Sequence, residues 1–102
     1  MRIITERRLK ELGDRPADAR GALDVGRRQV KAARWRSLDD VRSIYPHADE
    51  VTVASERVVT VFNIRGNNYR LVTAIHYNTQ CVYVMRFLTH AEYDKDAWKE
   101  QL

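Results

Sequence analysis

The run VVTVFNIRGNNYRLVTAIHYNTQCVYVMRFL, Val58 to Leu88, decides the fold. Val58 to Phe62 is rich in β-branched side chains, which suit a pleated, half-buried surface. Turn residues around Gly66 and Asn67-Asn68 interrupt it. Tyr69 to Tyr77 resumes the pattern, Asn78-Thr79-Gln80 breaks it again, and Cys81 to Leu88 forms a third run. Three runs joined by two tight turns predict an antiparallel meander. Strand character begins at about Val51. At the first turn, Gly66 and a neighbouring asparagine are expected at positive-φ positions.

Working outward, the segment before the meander reads as helical. Arg2-Ile3-Ile4 suits a short edge strand. Thr5 can cap a helix that follows, with Ile4 stapled onto Leu9 and Gly13 as its stop. Asp14-Arg15-Pro16 opens a second helix, expected to run to about Trp35, with Gly21 and Gly26 as points of loosening. Its apolar positions are Ala19, Leu23, Val30 and Ala33. Its other face carries Arg20, Arg27, Arg28, Lys31 and Arg34, either a solvated face or a stripe turned toward phosphates. Ser37-Leu38-Asp39-Asp40 has capping-box spacing for a short helix, which Pro46 ends. Thr89 to Leu102 is polar and partly helical. Helices before an antiparallel sheet predict an α+β fold of two layers.

The chain has 102 residues, which suits one domain spanning 1–102. Lys plus Arg number 18 against 14 Asp plus Glu, a net charge of +4. Only Lys10, Lys31, Lys95 and Lys99 are lysines, so arginine dominates. Arginine's planar fork suits phosphates and stacks on bases, which leans toward nucleic acid. Cys81 is the single cysteine. It implies a reducing compartment and no disulfide framework, and its own expected place is the core. No apolar run has transmembrane length, and MRIITERRL lacks the apolar core of a signal peptide.

Side chains alternate across a strand. By parity Arg70, Val72, Ala74 and His76 share one face, and Val82, Val84, Arg86 and Leu88 share another. Pairing through Asn78–Gln80 can bring Arg70 and Arg86 to one side. Two arginines in apolar strands need a partner. One reading pairs them with carboxylates such as Glu56, Asp94 or Asp96. The other is an anion site on an exposed sheet face, with Arg57 and Arg65 at its rim. Thr89-His90-Ala91-Glu92-Tyr93-Asp94-Lys95 then places an imidazole, a phenol and an ammonium beside that pair. Metal-free RNA cleavage needs such parts: a proton acceptor, an acid and cations for the phosphate. The bland reading is that His90 caps and Tyr93 packs. His47 and His76 read as structural or surface residues. The histidines and cysteine show no metal-ligand spacing.

Three motifs add to this. Ala33-Arg34-Trp35-Arg36-Ser37 precedes Asp40, Pro46 and Ala48. Val61 to Leu71 reads FNI-x-GN-x-YRL within VFNIRGNNYRL. Thr89 to Lys95 reads TH-x-EYDK. In this order and spacing the chain resembles the HigB family of bacterial type II toxins. The resemblance implies a RelE-like fold, a small antiparallel sheet with N-terminal helices on one face. It implies a metal-independent mRNA interferase, working without a cofactor on mRNA in the translating ribosome of a bacterial cytoplasm. A cognate HigA-type helix-turn-helix antitoxin is its implied partner, with no membrane and no specific DNA contact by the toxin alone. Carried over, it points to Arg70, Arg86, His90 and Tyr93 as catalytic residues. Arg65, Asn67, Arg57 and Lys95 are the expected substrate-binding residues. The alternative is an RNA- or ribosome-binding module without chemistry.

Overall fold

The computed structural model describes residues 1–5 and 17–102. The expected helix from Thr5 to Gly13, its Ile4–Leu9 staple and the helix start at Asp14–Pro16 lie outside those residues. Strand β1, Arg2–Thr5, comes first, and a 3-10 turn over Ala17–Ala19 leads into helix α1, Arg20–Ala32. Helix α2 follows at Leu38–Ile44, then β2 at Asp49–Thr52, β3 at Val58–Ile64, β4 at Tyr69–His76 and β5 at Cys81–Thr89. Two short helices close the chain, α3 at His90–Asp94 and α4 at Ala97–Glu100.

The class is α+β, as expected, but the sheet is mixed rather than antiparallel. Its order is β1-β5-β4-β3-β2. The three long strands and β2 form the antiparallel part. The β1 strand lies at the edge as the sequence suggests, yet it runs parallel to β5, with Ile3 opposite Val82 and Ile4 opposite Tyr83. A parallel neighbour requires a long crossover. The intervening chain supplies one, and local alternation cannot report it.

Helix α1 stays continuous through Gly21 and Gly26 and stops at Ala32, three residues short of Trp35, because Ala33 turns extended at ψ 155°. Ala19 is fully buried, Leu23 and Val30 pack on the core, and Arg27, Arg28, Lys31 and Arg34 are exposed. Ser37 does sit at the N-cap of α2, but its capping box does not form. Asp40 instead accepts the backbone N–H of Arg36 at 2.8 Å. The predicted stop before Pro46 holds, with Tyr45 as C-cap.

Each sheet face has its own core cluster. Phe62, Ile64 and Val82 face Trp35, Val41 and Ala48, with Leu23, Val30 and Tyr45 against them. Trp35 and Phe62 stack at 6.2 Å, and Tyr45 meets Phe62 edge-on at 5.2 Å. On the other face Val59, Val61 and Val72 pack with Trp98, Tyr93 and Leu102. So α3 and α4 cover part of the face that the helices α1 and α2 leave open.

A bulge sets which side chains share that second face. Val72 pairs with Arg86 but Thr73 pairs with Val84, so β5 carries Met85 as an extra residue. An extra residue reverses parity beyond it. Arg86 and Leu88 therefore join Arg70 and Val72, while Val82 and Val84 pair with Ile75 and Thr73 on the opposite side. The expected grouping of Val82 and Val84 with Arg86 is thus corrected. Without the bulge, the register set at His76–Cys81 would send Arg86 to the wrong side.

Candidate active site

The second face ends at the β3–β4 turn, where backbone and amide groups hold Arg70. Arg70 pairs with Asn63 across β3 and with Leu88 across β5. Only 8 % of the residue is exposed. Its Nη1 donates to the carbonyls of Asn67 and Tyr69, both at 3.1 Å, and its Nη2 to Asn67 Oδ1 at 3.0 Å. Neither Arg70 nor Arg86 pairs with a carboxylate among the described residues, so the pairing with Glu56, Asp94 or Asp96 is not seen. Arg86 is half-buried and donates to the Met85 carbonyl at 2.6 Å. Since Arg86 opposes Val72, it is a diagonal neighbour of Arg70. Diagonal Cα atoms lie roughly 7–8 Å apart, within reach of long side chains.

His90 opens α3. Thr89 caps that helix in a reciprocal box: Glu92 N–H donates to Thr89 Oγ1 at 3.1 Å, and Thr89 N–H to Glu92 Oε1 at 3.0 Å. His90 N–H donates to the Asn68 carbonyl at 3.0 Å, tying α3 to the β3–β4 turn. Its ring spans two partners. Nδ1 lies 3.3 Å from Arg70 Nη2, and Nε2 lies 3.1 Å from Asp94 Oδ2. A guanidinium only donates, so Nδ1 is the acceptor and Nε2 carries the proton toward Asp94.

Tyr93 lies one turn further. Its ring sits under the Arg70 guanidinium at 5.5 Å and stacks on Trp98 at 5.2 Å. Trp98 Nε1 donates to the Tyr93 carbonyl at 3.0 Å, which fixes the ring pair. Burial pushes the phenol above its ordinary value, against the opposing pull of Lys99 and then Arg70.

Arg70, Asn67, His90 and Tyr93 therefore come together, with Arg86 beside them. Arg65, Arg57 and Lys95 do not join this cluster. Arg65, at φ 51°, ion-pairs with Asp18, which also accepts from the Tyr69 hydroxyl at 2.8 Å. It lies on the turn with Gly66, so these two, rather than an asparagine, hold the positive-φ positions. The Tyr69 hydrogen bond, then Arg65, holds the Asp18 carboxyl below the usual carboxylate value, despite opposing desolvation. Arg57 precedes β3 at the far end of the sheet, and Lys95 is the exposed C-cap of α3. Cys81 is half-buried in β5 rather than in the core. Asp94 was expected only as a partner for the arginines, and its pairing with His90 was not read although the four-residue spacing was visible. Trp98 was missed too, since nothing local shows a tail residue returning to the sheet. Among the described residues, no group of three or more His, Cys, Asp or Glu is arranged to hold a metal ion. No described helix is long and apolar enough to cross a membrane.

A buried guanidinium, an imidazole backed by a carboxylate and a phenol meet at one end of a small basic α+β domain. Groups of these kinds can hold an anion and move a proton beside it. The chain belongs to the HigB_toxin family, the RelE-like toxic component of a toxin–antitoxin system, which it matches over residues 19–96. It is 23 % identical over 94 residues to the mRNA interferase toxin HigB of Escherichia coli K12, covering 92 % of this chain and 88 % of that protein. The mRNA interferases HigB of Escherichia coli O157:H7 and Shigella flexneri match to the same extent.

Proposed function

We propose that this protein is an mRNA interferase, a metal-independent endoribonuclease that cuts mRNA during translation on the ribosome. The observation that carries the reading is Arg70: a buried guanidinium, held by carbonyls and an amide, with an imidazole against it and no carboxylate among the described residues. Preorganised donors of this kind stabilise charge that develops in a transition state. The names of the relatives support the same chemistry. We read the helix-on-sheet layering as RelE-like and the whole chain as one domain.

In the reaction, Arg70 and Arg86 clamp the scissile phosphate. Its oxygens draw Arg70 Nη2 away from His90 Nδ1. The freed Nδ1 takes the proton from the 2′-hydroxyl, and Asp94 stabilises the imidazolium that forms. The 2′-oxygen attacks phosphorus, the bond to the 5′-oxygen breaks, and a 2′,3′-cyclic phosphate results. Tyr93, a phenol protonated at neutral pH, donates to the departing 5′-oxygen. Asn67 acts through Arg70 as a positioning residue. Arg65 and Lys95 contribute outer cations. The partner is a HigA-type helix-turn-helix antitoxin, and the setting is a bacterial cytoplasm.

Expression of the chain alone in a bacterial host tests this reading. Growth arrest with cut transcripts, relieved by the neighbouring antitoxin, is the expected result. Normal growth with soluble, folded protein and intact transcripts contradicts it.

A further inference from the structure

The sheet face that carries Arg70 also carries, at its other end, an open cleft of about 570 Å³. Ile4, Arg57, Val58, His76, Tyr83 and Met85 are among its walls. We propose that this cleft is a second nucleotide subsite, where a flanking base stacks on the His76–Tyr83 pair and its phosphate meets Arg57. The proposal rests on the ribonuclease reading of the Arg70 cluster.

Three observations point to RNA as the occupant. The first is continuity. Arg70, Val72, Ala74 and His76 share one side of β4, so the cleft and the cluster lie on one surface. Six residues of strand separate them, roughly 20 Å, a span that a few nucleotides of extended single strand can cross.

The second is ring chemistry. His76 and Tyr83 lie 4.8 Å apart at 57°, and His76 is exposed. Every base has a π-face, so an aromatic platform binds single strands without a sequence code. The neighbouring Val58 is 51 % exposed, an apolar surface against which a base edge can rest.

The third is charge. Arg57 lies in the wall, and no carboxylate among the described residues lines the cleft. Arg2 stands opposite Cys81, which stands opposite His76, so a second guanidinium is carried by the same row of the sheet. An apolar side chain from a protein partner would leave those cations unanswered, whereas a phosphodiester answers them.

Binding of 2′-O-methyl oligoribonucleotides, which lack the nucleophile, tests the proposal by fluorescence anisotropy with a trimer and an octamer. Arg57 and His76 are exposed, so Arg57→Ala and His76→Ala leave the core intact. Each is expected to weaken octamer binding about tenfold, the scale of one lost stacking or phosphate contact, and to leave trimer binding unchanged. Arg70→Ala weakens both. Octamer binding indifferent to Arg57→Ala and His76→Ala, with trimer binding still dependent on Arg70, overturns the subsite alone. Loss of antitoxin affinity with octamer affinity unchanged also overturns it and gives the cleft to the protein partner. A wild-type protein that binds neither oligomer overturns the subsite, while the ribonuclease reading stands or falls on cleavage of mRNA on translating ribosomes.

Discussion

An arginine that is 8 % exposed and meets no described carboxylate is costly unless something fixes its donors. At Arg70 the cost is met by two carbonyls and Asn67, which aim the fork without neutralising it. Arg70→Ala should therefore reduce kcat/KM by roughly 2–4 kcal/mol of transition-state stabilisation. Arg70→Lys should recover only part, since an ammonium cannot reproduce the fork. Asn67→Ala should cost about 1.5–3 kcal/mol, the range for one hydrogen bond to a charged group. On the proposed mechanism, in which Asn67 orients the clamp, its signature is a loss in kcat with KM little changed. Steady-state cleavage of a reporter mRNA measures all three. Strand parity alone was enough to single out Arg70. His90 and Tyr93 drew their force from the TH-x-EYDK motif, since a histidine ahead of a helix usually caps or packs. The carboxylate behind His90 was legible from spacing, but only contact identifies it.

Among the elements, the bulge at Met85 and the capping box at Thr89 place the two halves of the site. The bulge turns Arg86 to the side of Arg70. No residue type in VYVMRFL announces it, so the expected agreement of the two arginines was correct for a reason the sequence hides. The box starts α3 where Asn68 can receive His90 N–H. Thr89→Ala should cost about 1 kcal/mol of stability in urea unfolding and lower cleavage further than Thr89→Ser does, since His90 loses its station. Equal cleavage by the two variants would detach the cap from the chemistry. Capping-box spacing occurs at both Ser37–Asp40 and Thr89–Glu92. Only the second closes, because glutamate reaches back to its own N-cap while the shorter Asp40 side chain binds Arg36 N–H instead. The N-terminal strand was legible as apolar, but its parallel pairing was not, because the pairing depends on the path of the whole crossover.

Across the whole molecule, burial raises the phenols of Tyr45, Tyr77 and Tyr93 above their ordinary values. A raised value means the folded chain keeps those protons longer than the unfolded chain. Their stabilising contribution is complete below about pH 10 and is lost as pH rises through the folded-state values. Urea midpoints measured from pH 8 upward should fall through that alkaline window, and Tyr45→Phe should flatten the fall. A phenol is protonated near neutrality at its ordinary value of ~10 and burial moves Tyr93 further from ionising, so cleavage there should show no rise from phenolate formation. Arginine excess was visible in the composition, as was the α+β class in the order of helices and strands. The cover of the second face by Trp98 and Leu102 was not, since a polar tail gives no sign of where those two residues land. The central claim is that Arg70 clamps a phosphate for metal-independent cleavage, and mapping RNA ends after incubation with translating ribosomes tests it most directly. In a chelator that leaves the ribosomes intact, the wild-type protein should cut within the reading frame, leaving a 5′-hydroxyl and a cyclic or 3′-phosphate. Folded Arg70→Ala protein should leave the message whole; equal cutting by the two proteins, or wild-type cutting abolished by the chelator, would contradict the account.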